Sequence, residues 1–192
     1  MEVLEAHGRA MDVFDRAVRK IEAGSWDAPT PCSEWTVRDL LNHLVYEQLW
    51  VPDLLGGATV AEIGDRYEGD QLGDDPVRSW TEASRAARRA WLAPGALDRS
   101  VRLSRGATPA AEYCQEMTID LAVHGWDLAT ALGAETEMGD ELAGFLLRSV
   151  EPHVDNWQGI GIFAAPVPVP ADADAQTRLV ALLGRDPDWT PG

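Results

Sequence analysis

The sequence predicts an all-α protein: a four-helix bundle with additional C-terminal helices and an extended, proline-rich strap. Long segments carry apolar residues three and four positions apart, which is the spacing of one face of an α-helix. Glycines and prolines fall at the ends of these segments, where helices stop and start. Ser100–Leu103 is the one short stretch that favours an extended strand.

Residues that typically start or end helices support these helix predictions. Gly24 follows the first apolar stripe, and Thr36 with Asp39 forms a capping-box pattern before the second. Asp75 precedes a proline, a common helix start. The prolines of the strap exclude a helix there. The helices are predicted over residues 2–23, 37–55, 76–92, 109–132, 140–150 and 175–183, and the strap over 166–170.

Length and composition indicate a single domain over residues 1–192. A chain of 192 residues with 45% hydrophobic side chains fills one core. A net charge of −16 argues against nucleic acid or an anionic membrane surface as a partner. Neither a signal peptide nor an apolar run of membrane-spanning length is visible. We therefore expect a cytoplasmic protein, a monomer or a homodimer.

The predicted fourth helix carries a polar stripe through an apolar surface. At about 100° per residue, Glu116, Asp120, His124 and Asp127 share an arc of about 80°. The helix is otherwise apolar on nearly every side, as in the interior of a bundle. Buried carboxylates must be paired, hydrogen-bonded or bound to a metal. A divalent cation satisfies several of them at once.

His43, on the second predicted helix, is the candidate for a second imidazole. Taken alone, it is more simply a core histidine with a hydrogen-bonding neighbour. Together with Asp120 and His124 it gives two imidazoles and one carboxylate, a three-ligand set with an open position. That arrangement is typical of catalytic rather than structural metals.

The chain resembles the DinB/YfiT-like metal-binding helical bundles, in the branch of the mycothiol-dependent maleylpyruvate isomerase N-terminal domain. The resemblance rests on WDAPTPCSEWTVRDLLNHLV at residues 26–45, HGWDL at 124–128, and the tail IGIFAAPVPVPADADAQTRLVALLGRDPDW at 160–189. It implies a metal held by His43, Asp120 and His124, with Glu or His in many relatives at the position of Asp120. Zinc is the implied metal, with nickel as the alternative, and mycothiol is the implied cosubstrate.

The first function hypothesis is a metal-dependent thiol S-transferase, in which the metal lowers the pKa of a small-molecule thiol and presents the thiolate to an electrophile. Asp127, Glu116 and Glu47 are the candidates for orienting an imidazole or moving a proton. The isomerase has a further C-terminal domain, so we do not expect isomerisation of maleylpyruvate to carry over. The alternatives are a non-catalytic metal-binding or stress-response module with a structural metal, and a hydrolase with Glu47 or Glu116 as general base.

Other residues receive simpler interpretations. Trp50 and Trp126 follow the candidate ligands along their helices and are predicted to wall a cofactor pocket. Cys32 and Cys114 lack metal or redox spacing and are predicted to be small buried side chains. Gly125 weakens its helix, which a close helix contact or access to the metal would justify. The acidic residues 62–75 lack the ligand order of a calcium loop and are predicted to form a solvated, mobile loop.

Overall fold

The bundle is built from four long helices. The computed structural model describes residues 1–154, 157 and 163–191. The long helices are α1 (Val3–Val18), α2 (Val37–Leu55), α4 (Pro76–Trp91) and α5 (Ala110–Ala131). Helix α1 packs along α5 and α2 along α4, while contacts of α2 with α5 and of α1 with α4 join the two pairs. The all-α prediction is confirmed.

Side-chain caps explain the starts of α2 and α4. The Thr36 hydroxyl accepts a hydrogen bond from the Asp39 backbone N–H, and the Asp39 carboxylate accepts one from the Thr36 backbone N–H. At the start of α4, the Asp75 carboxylate accepts one hydrogen bond, from the backbone N–H of Arg78. The predicted end of α1 at residue 23 is wrong. The chain leaves the helix at Val18 because tight turns follow and lead to the segment that pairs with the start of α2.

A short hairpin precedes α5. Strand β1 (Ser100–Leu103) was predicted, and it pairs in antiparallel fashion with β2 (Gly106–Pro109), which was not. Pro109 was predicted to be the first helical residue, but its backbone is extended and the helix begins at Ala110. The Ala110 N–H donates to the carbonyl of Arg99, so pairing with a distant segment decides this boundary.

The acidic loop also holds structure that the sequence reading missed. A single helical turn, α3 (Val60–Ile63), is capped by Thr59. Further along, Arg38 of α2 pairs with Asp70 at 2.8 Å, and the Asn42 amide donates to the carbonyl of Gly69. These bonds anchor to α2 a loop that was predicted to be mobile.

The C-terminal elements pack on each other. Helix α6 (Asp140–Val150) has its predicted bounds, and α7 (Ala175–Leu182) ends one residue earlier than predicted. The strap is extended, and its Val167 N–H donates to the carbonyl of Ala181 in α7. Residues 160–162 of the tail that carries the family resemblance lie outside the described residues.

Gly125 lies where α5 crosses α1 most closely. A Cβ atom at this position would come within 2.9 Å of Val13 Cγ1 and 3.3 Å of the Phe14 backbone nitrogen. Of the two explanations offered for this glycine, the structure supports the close helix contact. No helix in the described part of the chain is long and apolar enough to cross a membrane.

Candidate metal centre

Two helices bring the three predicted ligands together. Asp120 and His124 lie one turn apart on α5, and His43 faces them from α2. The Nε2 atoms of His43 and of His124 each lie 3.4 Å from the same oxygen, Asp120 Oδ1. When one potential ligand atom is taken from each of the three residues, the three atoms all lie within 4.8 Å of one another.

This arrangement fits a small divalent cation. Ligand atoms bound at about 2.0–2.1 Å in a tetrahedral zinc site are separated by about 3.4 Å, and both nitrogen–oxygen distances have this value. The second carboxylate oxygen, Asp120 Oδ2, is buried and makes no hydrogen bond to any described residue. Because a buried unpartnered carboxylate oxygen is costly, it indicates a missing positive partner.

Asp127 orients the His124 ring from behind. Its carboxylate is fully buried and lies 2.9 Å from His124 Nδ1. Although burial disfavours its charged form, Arg185 and His124 together lower the pKa of Asp127. An ionised carboxylate only accepts hydrogen bonds, so Nδ1 carries the proton and the lone pair of a neutral ring lies on Nε2. His124 is thereby prepared to bind a metal through Nε2.

Arg185 completes this arrangement and was missed by the sequence analysis. It follows α7, is itself buried, and donates to the two oxygens of Asp127 at 3.3 and 2.9 Å and to the carbonyl of Leu183. No local pattern identifies it, because 58 residues separate it from Asp127. The only available signal was an arginine directly after the glycine that ends α7.

The loop before α2 covers the histidines. The Trp35 ring stacks on His124 with a centroid separation of 5.5 Å and lies 4.8 Å from the centroid of His43. Cys32, in the same loop, is half-buried, and its Sγ atom lies within 4.8 Å of a ring nitrogen of His124 and a carboxylate oxygen of Asp127. Burial raises the pKa of Cys32 to about 11. Sequence spacing did not reveal either neighbour of the site.

Charges at the centre depend on one another. Burial opposes a charged His43, but the Asp120 carboxylate outweighs it and raises the pKa of His43. Burial likewise opposes ionisation of Asp120, yet the two histidines lower its pKa. Burial and the neighbouring Asp120 charge raise the pKa of Glu47 to about 7, outweighing the opposite effect of His43.

Two depressions reach His43. A broad, shallow one of about 660 Å³ lies towards Trp35 and Tyr46, and a cavity of about 470 Å³ lies on the side of Asp120. We call the second the inner cavity. It is lined by His43, Glu47, Arg105, Glu112, Tyr113, Glu116, Met117, Ile119, Asp120, His153, Trp157 and Phe163.

The remaining predicted site residues lie in other positions. Glu116 lines the inner cavity, where it pairs with Arg105 and orients neither imidazole. Trp50 and Trp126 are buried among core residues and line neither depression, so the aromatic wall of the inner cavity comes from Trp157 and Phe163 instead. Helical spacing alone could not distinguish a wall residue from a core residue.

The family model of the mycothiol maleylpyruvate isomerase N-terminal domain matches residues 7–129. The chain belongs to this family. The predicted family resemblance is thus confirmed, and the match spans α1 to most of α5, including all three candidate ligands. Arg185 lies beyond the matched residues.

Two relatives come from strains of Mycobacterium tuberculosis. They are the uncharacterized proteins Rv0738 and MT0763, and each is 33% identical over 143 residues, which is 74% of either chain. Crystal structures of the mycothiol-dependent maleylpyruvate isomerase and of one of its histidine-to-alanine mutants share the fold. Their TM-scores are 0.63 and 0.64 at 18% identity, covering 83% of this chain and 71% of theirs.

Proposed function

We propose that this protein of the mycothiol maleylpyruvate isomerase N-terminal domain family is a metal-dependent thiol S-transferase. The observation that carries the proposal is the convergence of His43, Asp120 and His124, with one carboxylate oxygen buried and unbonded beside a cavity. A divalent ion, most simply zinc, held by these side chains supplies Lewis acidity that lowers the pKa of a neighbouring thiol. Family membership supports mycothiol as that thiol.

The protein's own groups prepare the site for this chemistry. Asp127 holds the His124 tautomer whose Nε2 lone pair faces Asp120, and Arg185 keeps the Asp127 carboxylate ionised. The Trp35 ring covers both imidazoles and limits the access of water to them. Since a thiolate is the effective nucleophile, the residues that fix the charge and position of the ligands also fix its reactivity.

Glu47 is the group we assign to proton transfer. It lines the inner cavity together with His43 and Asp120, so its carboxylate is a general base available to a thiol bound at that end of the cavity. Glu47 takes the thiol proton, and the resulting thiolate forms the sulfur–carbon bond. When the electrophile carries a leaving group, the electron pair of the broken bond departs with that group. When the electrophile is an activated alkene, the π electron pair moves onto carbon, which takes the proton back from Glu47.

Thiol-dependent isomerisation is the second candidate, and the matched family favours it. It shares the first step, addition of the thiolate to an activated double bond. After rotation about the resulting single bond, elimination expels the thiol and restores the double bond in the other geometry. A transferase consumes one thiol per turnover, whereas an isomerase returns it.

The experiment begins with metal analysis of protein purified without a histidine tag. We expect one ion per chain, loss of that ion in His43→Ala and His124→Ala, and its retention in the matched control His153→Ala, a histidine outside the cluster. Zinc-loaded protein with mycothiol should then conjugate a generic electrophile such as monobromobimane faster than mycothiol alone. Full metal retention in both ligand variants would refute the site.

X-ray absorption at the zinc edge separates the proposed transferase from a structural metal. A sulfur neighbour that appears only when mycothiol is added supports the transferase. A sulfur neighbour already present without thiol, and absent in Cys32→Ser, identifies Cys32 as a closing protein ligand and the ion as a clamp between α2 and α5. Counting free thiol during turnover of an activated alkene distinguishes transfer from isomerisation.

A further inference from the structure

The outer wall of the inner cavity contains an arginine, Arg105, that is already paired with carboxylates of the protein. Arg105 lies in the turn between β1 and β2, and its Nη2 atom lies 2.6 and 2.7 Å from the two carboxylate oxygens of Glu116 on α5. A second carboxylate, Glu112, lies 3.7 Å from the same atom. Two acidic side chains therefore surround one guanidinium at this end of the cavity.

No other arginine or lysine is found among the described residues of the cavity wall. Glu47 and Asp120 add carboxylates at the inner end. A divalent ion on the three ligands would balance that inner end. The outer end would still hold two carboxylates for one guanidinium. The remaining surface is mainly apolar and aromatic, from Tyr113, Met117, Ile119, Trp157 and Phe163.

We propose that the inner cavity receives the electrophilic substrate and selects neutral or cationic apolar molecules over carboxylates. This inference rests on the proposed function and deepens it by naming the substrate class. A substrate carboxylate that entered the cavity would compete with Glu116 for Arg105. Whichever of these two carboxylates paired with the guanidinium, the other would be left without a cation. A neutral ring or alkyl group contacts the aromatic wall and leaves that pair intact. A cation also gains attraction from the surplus acidic charge.

Solvent limits the size of the discrimination. The side chains of Arg105, Glu112 and Glu116 retain 49%, 56% and 33% of their exposure, so water and salt screen them. We expect a preference of about threefold to tenfold at low ionic strength, decreasing as salt is added.

The test uses benzamidine, benzamide and benzoate, which have nearly the same shape and carry charges of about +1, 0 and −1 at neutral pH. Binding to the metal-free full chain is followed by calorimetry. We expect benzoate to bind about threefold to tenfold more weakly than benzamide, and benzamidine at least as tightly as benzamide. Benzoate binding as tightly as benzamide would overturn the inference.

A matched pair of variants locates the effect. Glu116→Gln removes the closer of the two carboxylates beside Arg105, leaving Glu112 at 3.7 Å, and should raise benzoate affinity relative to benzamide by about threefold or more. Glu82→Gln makes the same change of charge on α4, where Glu82 pairs with Arg78 outside the cavity, and should leave the ratio unchanged. Equal ratios in the two variants would overturn the assignment to the inner cavity.

Kinetics distinguish failure of this inference from failure of the proposed function. With zinc and mycothiol present, the rate acceleration over the uncatalysed reaction is compared for iodoacetamide and iodoacetate. Acceleration of both to the same degree supports the transferase and overturns the charge selection. If neither reagent reacts faster but benzoate still binds more weakly than benzamide, the transferase proposal is overturned and the charge preference of the inner cavity is supported.

Discussion

Replacing Arg185 with methionine tests the buried ion pair that supports His124 of the candidate metal centre, in which Asp127 lies within the family-matched residues and Arg185 beyond them. Asp127 is fully buried and the Arg185 side chain is 9% exposed, so both charges lie in a poorly screened interior. Arg185→Met removes two charge-assisted hydrogen bonds and leaves the Asp127 carboxylate with His124 alone. Breaking one partner of such a pair costs about 3–5 kcal/mol, and we expect the lower end, about 3 kcal/mol, because His124 remains.

Urea unfolding followed by circular dichroism measures this loss, and a second arginine provides the control. Arg178 pairs with Glu151 at 3.1 Å, but both side chains are 47% exposed. Arg178→Met should therefore cost less than about 1 kcal/mol. If Arg185→Met loses no more stability than Arg178→Met, the reasoning about the buried pair is wrong.

The same pair predicts a pH dependence with a definite sign. Because the pKa of Asp127 lies below its ordinary value of 3.8 in the folded protein, its ionisation stabilises the fold above that value. This contribution is lost as the pH falls through the lowered pKa. The stability difference between the natural protein and Arg185→Met should be greatest near neutral pH and should shrink as the pH falls towards and through the lowered pKa of Asp127. A difference that grows on acidification would contradict this origin.

Three further predictions follow from the site and the bundle. Asp127→Asn should bind zinc about 10 to 100 times more weakly, because the ring orientation is lost while the ligands remain; unchanged affinity in a competition titration would contradict this role. His43→Ala and His124→Ala should each unfold in urea cooperatively while lacking metal, so a molten, non-cooperative variant would contradict a purely ligating role. Gly125→Ala should destabilise by about 1–3 kcal/mol because of overpacking against α1, whereas Gly144→Ala, whose new methyl would meet the flexible end of an arginine, should gain up to about 1 kcal/mol.

The sequence by itself determined those features that depend on neighbouring residues. The Thr36 capping box, the proline start of α4, the bounds of α2 and α6, and the convergence of Asp120 with His124 on one side of α5 all follow from spacings within a helical turn or two. Only the fold could show that His43 lies opposite these two residues. The spacing of a carboxylate and an imidazole in an apolar helix nevertheless already indicated a metal.

Only the tertiary structure decided the features that join distant segments. Strand β2 exists because β1 pairs with it, and Arg185 reaches Asp127 across 58 residues. Trp35 covers the histidines because its loop folds back over α2 and α5, while Trp50 and Trp126 lie in the core. Periodicity reports which face of a helix is buried, and long-range packing alone decides whether that face borders the core or a cavity.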